Sequence, residues 1–329
     1  MSPIPRDRPA TIHRNLNFVI GVDTKNARLN EADSKADKSR RLRITRRHRC
    51  APRRIGLGKK RDLASQGIAV TVIDFKAFIG RLATASGETI LPFFRTSLLI
   101  DDKSANLDFD PVTEADRAAE AVMRRMIKAN FPQHGIVGEE FGSEREDAEY
   151  VWVLDPIDGT KSFIAGFPIW GTLIALLHKG MPVFGMMHQP YIGERFSGDN
   201  GSANYSGPSG ERRLTVRRCA SLKEATSYTT SPLLMNADDR AAFAKVETAV
   251  RLTRYGGDCY SYCMLAAGHL DLVVETELKP YDIAAIIPIV TGAGGVVTTW
   301  DGSPAQDGGR IVAAGDRRVH EAAMRLLNS

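Results

Sequence analysis

The sequence predicts a layered α/β fold, because stretches with the period of a helix alternate with short runs typical of strands. Helical periodicity begins abruptly in VTVIDFKAFIGRL, at residue 70, and apolar runs such as GIVG and VWVL follow the next helical stretch. The chain has 329 residues and 43% hydrophobic content, which is ample for a sizeable core. We find no internal repeat, and we expect one α/β domain over residues 70–329.

The elements are expected in the following order. Residues 73–94 form a helix, the polar stretch DDKSANLDFDP forms a loop, and a second helix begins near Thr113. Strands follow at GIVG, VWVLD, IWGTLIALLHKG and PVFGMMHQP. Residues 198–210 are rich in Gly, Ser, Asn and Pro, which is typical of a surface loop or a hairpin connection. The order ends with a strand near Ser227, a helix at CYSYCMLAAG, a strand at LDLVVE, a helix over residues 281–292 and a strand at GGVVTTW.

Charge is distributed unevenly along the chain. Of the 44 Lys and Arg, 18 lie in residues 1–69, against 6 of the 39 Asp and Glu, so residues 70–329 hold 26 against 33. The net charge of +5 therefore hides an acidic body, and the basic balance does not by itself indicate a nucleic-acid-binding protein. Residues 1–69 also lack a sustained hydrophobic period, which predicts a disordered basic extension.

Three interpretations of residues 1–69 compete. They are an arm that binds nucleic acid or a membrane surface, an arginine-rich organelle presequence, and translated upstream sequence that is absent from the native protein. We favour the third, because helical periodicity starts abruptly at Val70 and a valine-coding GTG can act as a start codon. Tryptic peptides from before Val70, found by mass spectrometry of protein from the source organism, would contradict it.

The sequence gives no sign of a membrane or disulfide-rich protein. No apolar stretch reaches the roughly 18 residues needed to span a bilayer, and the N-terminus lacks the apolar region of a secretory signal. The four cysteines are irregularly spaced, which fits reduced thiols better than a disulfide or zinc framework; they are Cys50, Cys219, Cys259 and Cys263. We therefore expect a cytoplasmic protein.

The stretch DPIDGT carries the strongest chemical signal in the chain. It follows the apolar run VWVL, so its first aspartate is expected at the C-terminal end of a buried strand, where α/β proteins place ligand sites. Pro156 stiffens the turn, and the amides of Gly159 and Thr160 can open a helix whose N-terminus attracts an anion. The oxygen ligands offered to a hard cation such as Mg²⁺ are Asp155, the Ile157 carbonyl and Asp158.

Two other interpretations of DPIDGT are available. An Asp-Pro/Asp-Gly turn with a helix cap would need no ligand. Another class of phosphatase uses Asp-x-Asp-Gly-Thr, in which one aspartate is a covalent nucleophile and the aspartate two residues on is the acid. Here the aspartates are three residues apart, and because alternate strand residues face the same way, this spacing favours metal ligation over a phospho-aspartate.

Three further acidic stretches add candidates. DPVTEAD places Asp116 in the first turn of a helix, FPQHGIVGEEFG places Glu139 and Glu140 after a short apolar run, and KPYDIAA places Asp282 at the start of a helix. Taken singly, these residues also fit a helix N-terminus or a solvated surface. Together with DPIDGT they supply the number of ligands that a two-metal phosphoryl site requires.

The motifs DPVTEAD, GEE, DPIDGT and PYDIAAIIPIVTGAGG, in this order, resemble the inositol monophosphatase superfamily of Mg²⁺-dependent, lithium-sensitive phosphatases. The resemblance extends from about residue 73 to the C-terminus. It implies an αβαβα sandwich of the inositol monophosphatase and fructose-1,6-bisphosphatase type, two or three Mg²⁺ per site and a homodimer. It also implies direct attack of metal-activated water on a small phosphate ester, with no covalent enzyme intermediate and no nucleic-acid or membrane partner.

The resemblance assigns roles residue by residue. The implied metal ligands are Glu139, Asp155, the Ile157 carbonyl, Asp158, Asp282 and Asp116. Thr160 and Glu139 would orient the attacking water, and Gly159 with Thr160 would hold the phosphate. Asp116 would serve a further metal, directly or through water, and so take part in catalysis. Lys103 resembles a lysine in the loop ahead of the VTEAD motif.

Other residues indicate a branch of this superfamily. DGTKSF stands where inositol phosphatases usually have DGTTNF, and PYD replaces their usual WD. The set DGTKSF, HQP, RYGGDCY and LKPYD instead resembles histidinol-phosphate phosphatases. Asp258 and Glu275 would then bind the amine and imidazole of L-histidinol phosphate, although Asp258 could also cap a helix beginning at Cys259. The alternatives are a phosphatase for inositol, phosphoadenosine or sugar phosphates, and a nucleic-acid-binding protein that uses the basic extension.

Overall fold

The computed structural model describes residues 67–96, 100–102 and 111–329. Residues 1–66, to which most of the predicted disordered extension belongs, and the loop that holds Lys103 lie outside this range. None of the helices in the described part is long and apolar enough to cross a membrane.

Helices and strands alternate along the described chain. The helices are α1 (Gly67–Ile90), α2 (Glu114–Asn130), α3 (Thr160–Ile164), α4 (Ala237–Ala249), α5 (Asp258–Ala266), α6 (Pro280–Ile283), α7 (Ile286–Gly292) and α8 (Arg317–Leu327), with short 3-10 helices at Leu91–Phe93, Leu222–Glu224 and Pro232–Leu234. The strands are β1 (Ile100–Asp102), β2 (Pro111–Thr113), β3 (Gly135–Gly138), β4 (Gly142–Glu144), β5 (Tyr150–Asp158), β6 (Gly171–His178), β7 (Met181–Gln189), β8 (Glu194–Gly198), β9 (Ala203–Gly207), β10 (Gly210–Arg213), β11 (Thr226–Thr229), β12 (Leu252–Tyr255), β13 (Leu272–Leu278), β14 (Val296–Thr299) and β15 (Gly309–Ala314).

The strands form two large sheets and one small ladder. The larger sheet has eight strands in the order β10-β9-β8-β7-β6-β5-β3-β4, and only its β3–β5 pair is parallel among the described strands. The second sheet has the order β12-β11-β13-β15-β14, with β11 parallel to both of its neighbours and β15 antiparallel to both of its own. A separate antiparallel ladder joins β1 and β2.

Alternate residues of the strands enter different cores, and this places each large sheet between layers of helices. Trp152 and Leu154 of β5 pack with α1 and α2, whereas Val153 between them packs with α5 and α7. In β13, Val273 packs on the same middle helices, whereas Val274 packs with α4 and α8. The layers therefore follow the order helix, sheet, helix, sheet, helix, which confirms the predicted αβαβα sandwich.

Several elements differ from the prediction. Helix α1 already includes Gly67, so it extends beyond both the predicted start at residue 73 and the onset of helical periodicity at Val70. The segment predicted as a loop or hairpin contains β9, which pairs with both β8 and β10. The predicted helix over residues 281–292 is divided into α6 and α7. The stretch DDKSANLDFDP, predicted as a loop, begins with two residues of β1 and ends with the first residue of β2. The further elements that were not predicted are β4, β8, β10, α4, β12, β15 and α8.

Candidate active site

The stretch DPIDGT continues β5 through an irregularity instead of ending the strand at Asp155. Strand β5 pairs with β6 at Asp155 and again at Asp158, and its register shifts between these two positions. The shift falls at Pro156, which has no amide hydrogen to give to a regular ladder. The carbonyl of Pro156 instead accepts a hydrogen bond of 2.8 Å from the hydroxyl of Thr172. Strand β5 is therefore a bulged strand that carries both Asp155 and Asp158, and it does not end at Asp155 as expected.

Carboxylates from four parts of the fold meet beside this bulge. In each of two groups, one oxygen from every member lies within 4.8 Å of the others. The groups are Asp116, Glu139 and Glu140, and Asp155, Asp158 and Asp282. The first combines the start of α2 with the turn between β3 and β4, and the second combines the end of β5 with α6. All five acidic residues predicted as metal ligands belong to these groups, and Glu140 joins them.

Asp155 lies at the junction of the two groups. Burial raises the pKa of Asp155 well above its usual value, and the charges of Glu139, Asp158 and Asp282 raise it further. One of its carboxylate oxygens, Oδ1, is buried and has no hydrogen-bond partner among the described residues. Because Glu139 belongs to the first group and Asp158 to the second, the electrostatic effect on Asp155 places the two groups side by side.

The ionised form of Asp158 is also unfavourable in the folded chain. Burial raises its pKa well above the usual value, and the charges of Asp258 and Asp282 add to the effect. The backbone amide of Cys259 donates a hydrogen bond of 2.6 Å to Asp158 Oδ2 and partly offsets the cost.

This donor set fits a divalent cation. Buried carboxylates are costly unless they are paired or coordinate a metal, and hard cations prefer oxygen ligands. The unpartnered Oδ1 of Asp155 and the clustering of like charges are the two observations that indicate such an ion.

The predicted carbonyl and hydroxyl groups lie together. Thr160 Oγ1 donates a hydrogen bond of 3.1 Å to the carbonyl of Ile157. A carbonyl oxygen has two lone pairs and a hydroxyl oxygen can also accept, so both groups keep acceptor capacity for a ligand. Gly159, which precedes α3, has φ of +83°, a left-handed conformation that glycine adopts without strain.

The segment RYGGDCY packs against DPIDGT. Asp258 Oδ2 accepts a hydrogen bond of 2.7 Å from Ser162 Oγ, and a Cβ on Gly159 would lie 2.9 Å from the same oxygen. Helix α5 begins at Asp258, and its N-cap Gly257 makes no side-chain capping bond. Asp258 therefore does not cap a helix beginning at Cys259; its side chain joins two segments instead.

A cavity of 130 Å³ adjoins the second carboxylate group. It is lined by Asp158, Thr230, Leu234, Asp258, Cys259, Tyr262, Glu275, Thr276, Leu278 and Asp282. Both residues predicted to bind the substrate body, Asp258 and Glu275, are thus in the same cavity as two predicted metal ligands.

Glu275 is a buried acid held by hydroxyl and amide donors. It accepts hydrogen bonds from the backbone amide of Thr230 at 2.7 Å, from Thr230 Oγ1 at 2.9 Å and from Thr229 Oγ1 at 3.3 Å. Burial raises the pKa of Glu275 to about 7, although these donors lower it. Two other residues that line the cavity, Tyr262 and Thr276, have buried hydroxyls without a hydrogen-bond partner in the described part of the chain.

These two hydroxyls and the contact of Thr230 with Glu275 were not predicted from the sequence. Tyr262 follows Asp258 by four residues on α5, so the helical period could have placed it on the same face. No sequence signal joins Thr230 to Glu275, because Thr230 directly follows β11 whereas Glu275 lies in β13, 45 residues further along the chain.

The histidine of the HQP motif lies outside the cavity. His188 is buried in β7, and its Nδ1 is 2.8 Å from the carbonyl of Ala83 in α1. Burial lowers its pKa to about 4, so the ring is neutral at pH 7. His188 therefore joins α1 to the sheet.

Comparison with known proteins gives consistent matches that include the candidate site. The model of the inositol monophosphatase family matches residues 74–329. The chain is 40% identical to the bifunctional phosphatase IMPL2, chloroplastic, of Arabidopsis thaliana over 339 aligned residues, which cover 98% of this chain and 95% of that protein. It is 35% identical to the histidinol-phosphatase of Mycobacterium tuberculosis over 244 residues, covering 73% and 92% of the two chains.

A solved structure has the same fold. The inositol monophosphatase from Zymomonas mobilis aligns with a TM-score of 0.70 and 42% identity, over 78% of this chain and 98% of that one. The range matched by the family model contains both carboxylate groups and every residue that lines the cavity.

Proposed function

Because this chain belongs to the inositol monophosphatase family of phosphatases, we propose that it hydrolyses L-histidinol phosphate to L-histidinol and phosphate, with Mg²⁺ as the metal. This is the dephosphorylation step of histidine biosynthesis. The 35% identity to a histidinol-phosphatase over most of both chains supports the choice of substrate.

One observation carries the proposal: two pairs of carboxylates line the cavity. One pair would bind the metal ion, and the other lies where the body of a substrate would be. Asp158 and Asp282 lie in the group that fits a divalent cation, whereas Asp258 and Glu275 lie outside both groups. L-Histidinol phosphate carries a phosphate at one end and an amine and an imidazole at the other. Negative charge at the second pair favours such a cationic body over a neutral one.

The roles of the chain's own residues follow from their positions. The ligands for Mg²⁺ would be Asp116, Glu139, Asp155, the Ile157 carbonyl, Asp158 and Asp282. When bound, Mg²⁺ activates water and neutralises charge on the phosphate and the leaving oxygen. The Thr160 hydroxyl donates its hydrogen to the Ile157 carbonyl, so its oxygen remains able to accept a hydrogen bond from the attacking water. Glu139 would accept the second hydrogen of that water and fix its direction of attack.

The substrate would be oriented by two further sets of groups. Gly159 leaves room for a phosphate oxygen to approach the backbone where α3 begins, and the amide of Thr160 would donate to it. Glu275 is held in place by Thr229 and Thr230, and a cationic group of the substrate would lower its pKa and keep it ionised.

The proposal includes several features of the whole protein. They are two or three Mg²⁺ per site, a homodimer, a cytoplasmic location and a division of the chain into residues 1–69 and 70–329. The similar Arabidopsis protein is described as chloroplastic, so location is to be tested by fractionation of the source organism. Sedimentation of the purified protein tests the homodimer.

The experiment is Mg²⁺-dependent phosphate release from L-histidinol phosphate, inositol 1-phosphate and phosphoadenosine phosphate, measured in parallel. We expect kcat/KM for L-histidinol phosphate to be at least about tenfold higher, which corresponds to roughly 1.4 kcal/mol of transition-state discrimination. Equal values for all three would contradict the choice of substrate and leave a phosphatase of broad specificity. Inositol 1-phosphate is the second candidate, because the 42% identical Zymomonas mobilis protein is named an inositol monophosphatase.

A further inference from the structure

Helix α2 carries three buried charged residues on one face. Asp116, Glu120 and Arg124 are spaced by four residues and have exposed fractions of 1%, 0% and 5%. Residues four apart on a helix lie one above the other, so this face is a polar stripe that points into the protein. Asp116 is in the first carboxylate group, and neither Glu120 nor Arg124 belongs to either group.

Glu120 binds the turn that carries two members of that group. Its carboxylate accepts hydrogen bonds from the backbone amide of Glu140 at 2.7 Å and from that of Phe141 at 3.2 Å. These amides directly follow Glu139 in the turn between β3 and β4. A Cβ on Gly138 would lie 2.0 Å from Glu120 Oε1, so the glycine of the GEE motif is what lets the carboxylate approach.

Arg124 completes the attachment of the turn to α2. Its Nε donates to Glu120 Oε1 at 2.6 Å, and its other nitrogens donate to the carbonyl of Gly142 and, at 3.1 Å, to Glu144 Oε1. The pair therefore holds backbone groups of three consecutive residues of the turn, Glu140, Phe141 and Gly142. Burial of both side chains makes the bond between Glu120 and Arg124 costly to break, because either partner would be left unsatisfied in a low dielectric.

We propose that Glu120 and Arg124 are positioning residues for the metal centre, which hold Glu139 and Glu140 at binding distance from Asp116. The three carboxylates repel one another, and without a fixed turn they would separate before a cation arrives. The hydrogen bonds to the turn hold the carboxylates together before the cation binds. Less binding energy is then needed to overcome their repulsion, and the affinity for a divalent cation is higher. This inference rests on the metal-dependent function proposed above.

The test is Glu120→Gln, which keeps the shape of the side chain and one acceptor oxygen for the turn, but replaces the other oxygen with an NH2 group and loses the charge facing Arg124. The readout is the rise in melting temperature of the substrate-free protein as Mg²⁺ is added after EDTA treatment. We expect the Mg²⁺ concentration at half-maximal stabilisation to increase about 5- to 20-fold, in line with the effect of outer hydrogen-bond partners on metal affinity. At saturating Mg²⁺, kcat should stay within about threefold of the native value, which separates positioning from catalysis.

Asp271→Asn is the matched control. Asp271 is an equally buried acid that accepts from Arg217 Nε at 2.6 Å and from the amide of Thr226 at 2.7 Å. Asp271 directly precedes β13, whereas the predicted metal ligand Asp282 follows that strand. The length of β13, roughly 20 Å, therefore separates Asp271 from Asp282. The control should lower the melting temperature without changing the Mg²⁺ midpoint. If Glu120→Gln behaves in the same way as the control, Glu120 has only a structural role and the proposal is wrong.

Arg124→Lys keeps the proposal testable if Glu120→Gln does not fold. A lysine keeps the positive charge beside Glu120 but cannot reach Glu120, Gly142 and Glu144 together, so a smaller increase of the Mg²⁺ midpoint is expected. An unchanged midpoint in folded Arg124→Lys would overturn the proposal. If the native protein itself is not stabilised by Mg²⁺, the proposed metal-dependent function fails first.

Discussion

At the scale of single residues, the candidate centre concentrates acids that the folded chain stabilises only in part. Asp155 and Asp158 both have pKa values raised by burial and by neighbouring carboxylates. Their ionised forms are therefore less stable in the folded than in the unfolded chain. The same clustering of carboxylates lowers the stability of the metal-free protein and raises its affinity for a cation. Mutation can separate these two effects.

The first prediction is that Asp155→Asn abolishes activity but stabilises the metal-free protein. The folded pKa of Asp155 is raised, so its contribution to stability is present below the unfolded value of 3.8 and is lost as the pH rises through the folded value. Melting in EDTA should therefore occur at a higher temperature for the variant at pH 7.5, and the difference should disappear near pH 4. Phosphate release in Mg²⁺ should fall by more than about 100-fold, because a ligand is lost outright. Normal Mg²⁺ activation of the variant would remove Asp155 from the ligand set.

The second prediction concerns the buried hydroxyl of Tyr262. Tyr262→Phe should raise KM for L-histidinol phosphate about two- to tenfold, as expected for one hydrogen bond, while leaving KM for p-nitrophenyl phosphate unchanged. The variant should be at least as stable as the native protein, because an unsatisfied buried hydroxyl is removed. Tyr260→Phe is the control: its hydroxyl donates to Glu194, so the variant should lose stability without any change in KM. Equal KM effects of both changes would place Tyr262 outside substrate recognition.

At the scale of secondary structure elements, the site depends on the close packing of two tight turns. The turn between β5 and α3 supplies Gly159, and the turn that leads into α5 ends at Asp258, the first residue of that helix, which has φ of +41°. The carboxylate of Asp258 lies where a side chain on Gly159 would be. Neither turn can move without displacing the other.

The third prediction is that Gly159→Ala impairs both stability and substrate binding. Its left-handed backbone and the approach of Asp258 Oδ2 to 2.9 Å should together lower the free energy of unfolding by about 1–3 kcal/mol. KM should rise because Asp258 is displaced. Gly180→Ala is the control, since Gly180 has φ of +78° but no atom within 4 Å of an added Cβ, so only the backbone strain remains. The free energy of unfolding from urea titration and KM should be compared, and equal effects of the two changes would contradict the packing argument.

The sequence was informative where chemistry is local and uninformative where it depends on contact between distant segments. The motif DPIDGT and the three other acidic stretches predicted the carboxylates, because each carries its own turn or helix start. The hydrogen bonds donated by Thr230 to Glu275 and by the GEE turn to Glu120 join segments 45 and 20 residues apart, and no pattern indicates them. Helix α4 was missed because Phe243 and Val246 are its only buried large apolar residues, too few for a helical period.

At the scale of the whole molecule, the centre lies where elements of different layers meet. Its carboxylates come from α2 in an outer layer, from the β3–β4 turn and β5 in the larger sheet, and from α6 in the middle layer. The cavity adds β13 from the second sheet. The site can therefore form only when both sheets are packed on the middle helices, and metal binding is expected to stabilise the whole described domain.

The fourth prediction is that the basic extension is dispensable for catalysis. A chain of residues 67–329 keeps α1 as far as the structure describes it and both carboxylate groups, so its kcat/KM for L-histidinol phosphate should lie within about twofold of the full chain. Residues 1–69 hold an excess of 12 positive charges by the counts above, so any affinity of the full chain for DNA should come from them. Such binding, measured by fluorescence anisotropy, should fall steeply between 50 and 200 mM salt and be absent from residues 67–329. The phosphatase body has an excess of acids, which repel a nucleic acid. If the shortened chain instead keeps the DNA affinity or loses most of its activity, the division of the protein into a basic extension and an independent phosphatase is wrong.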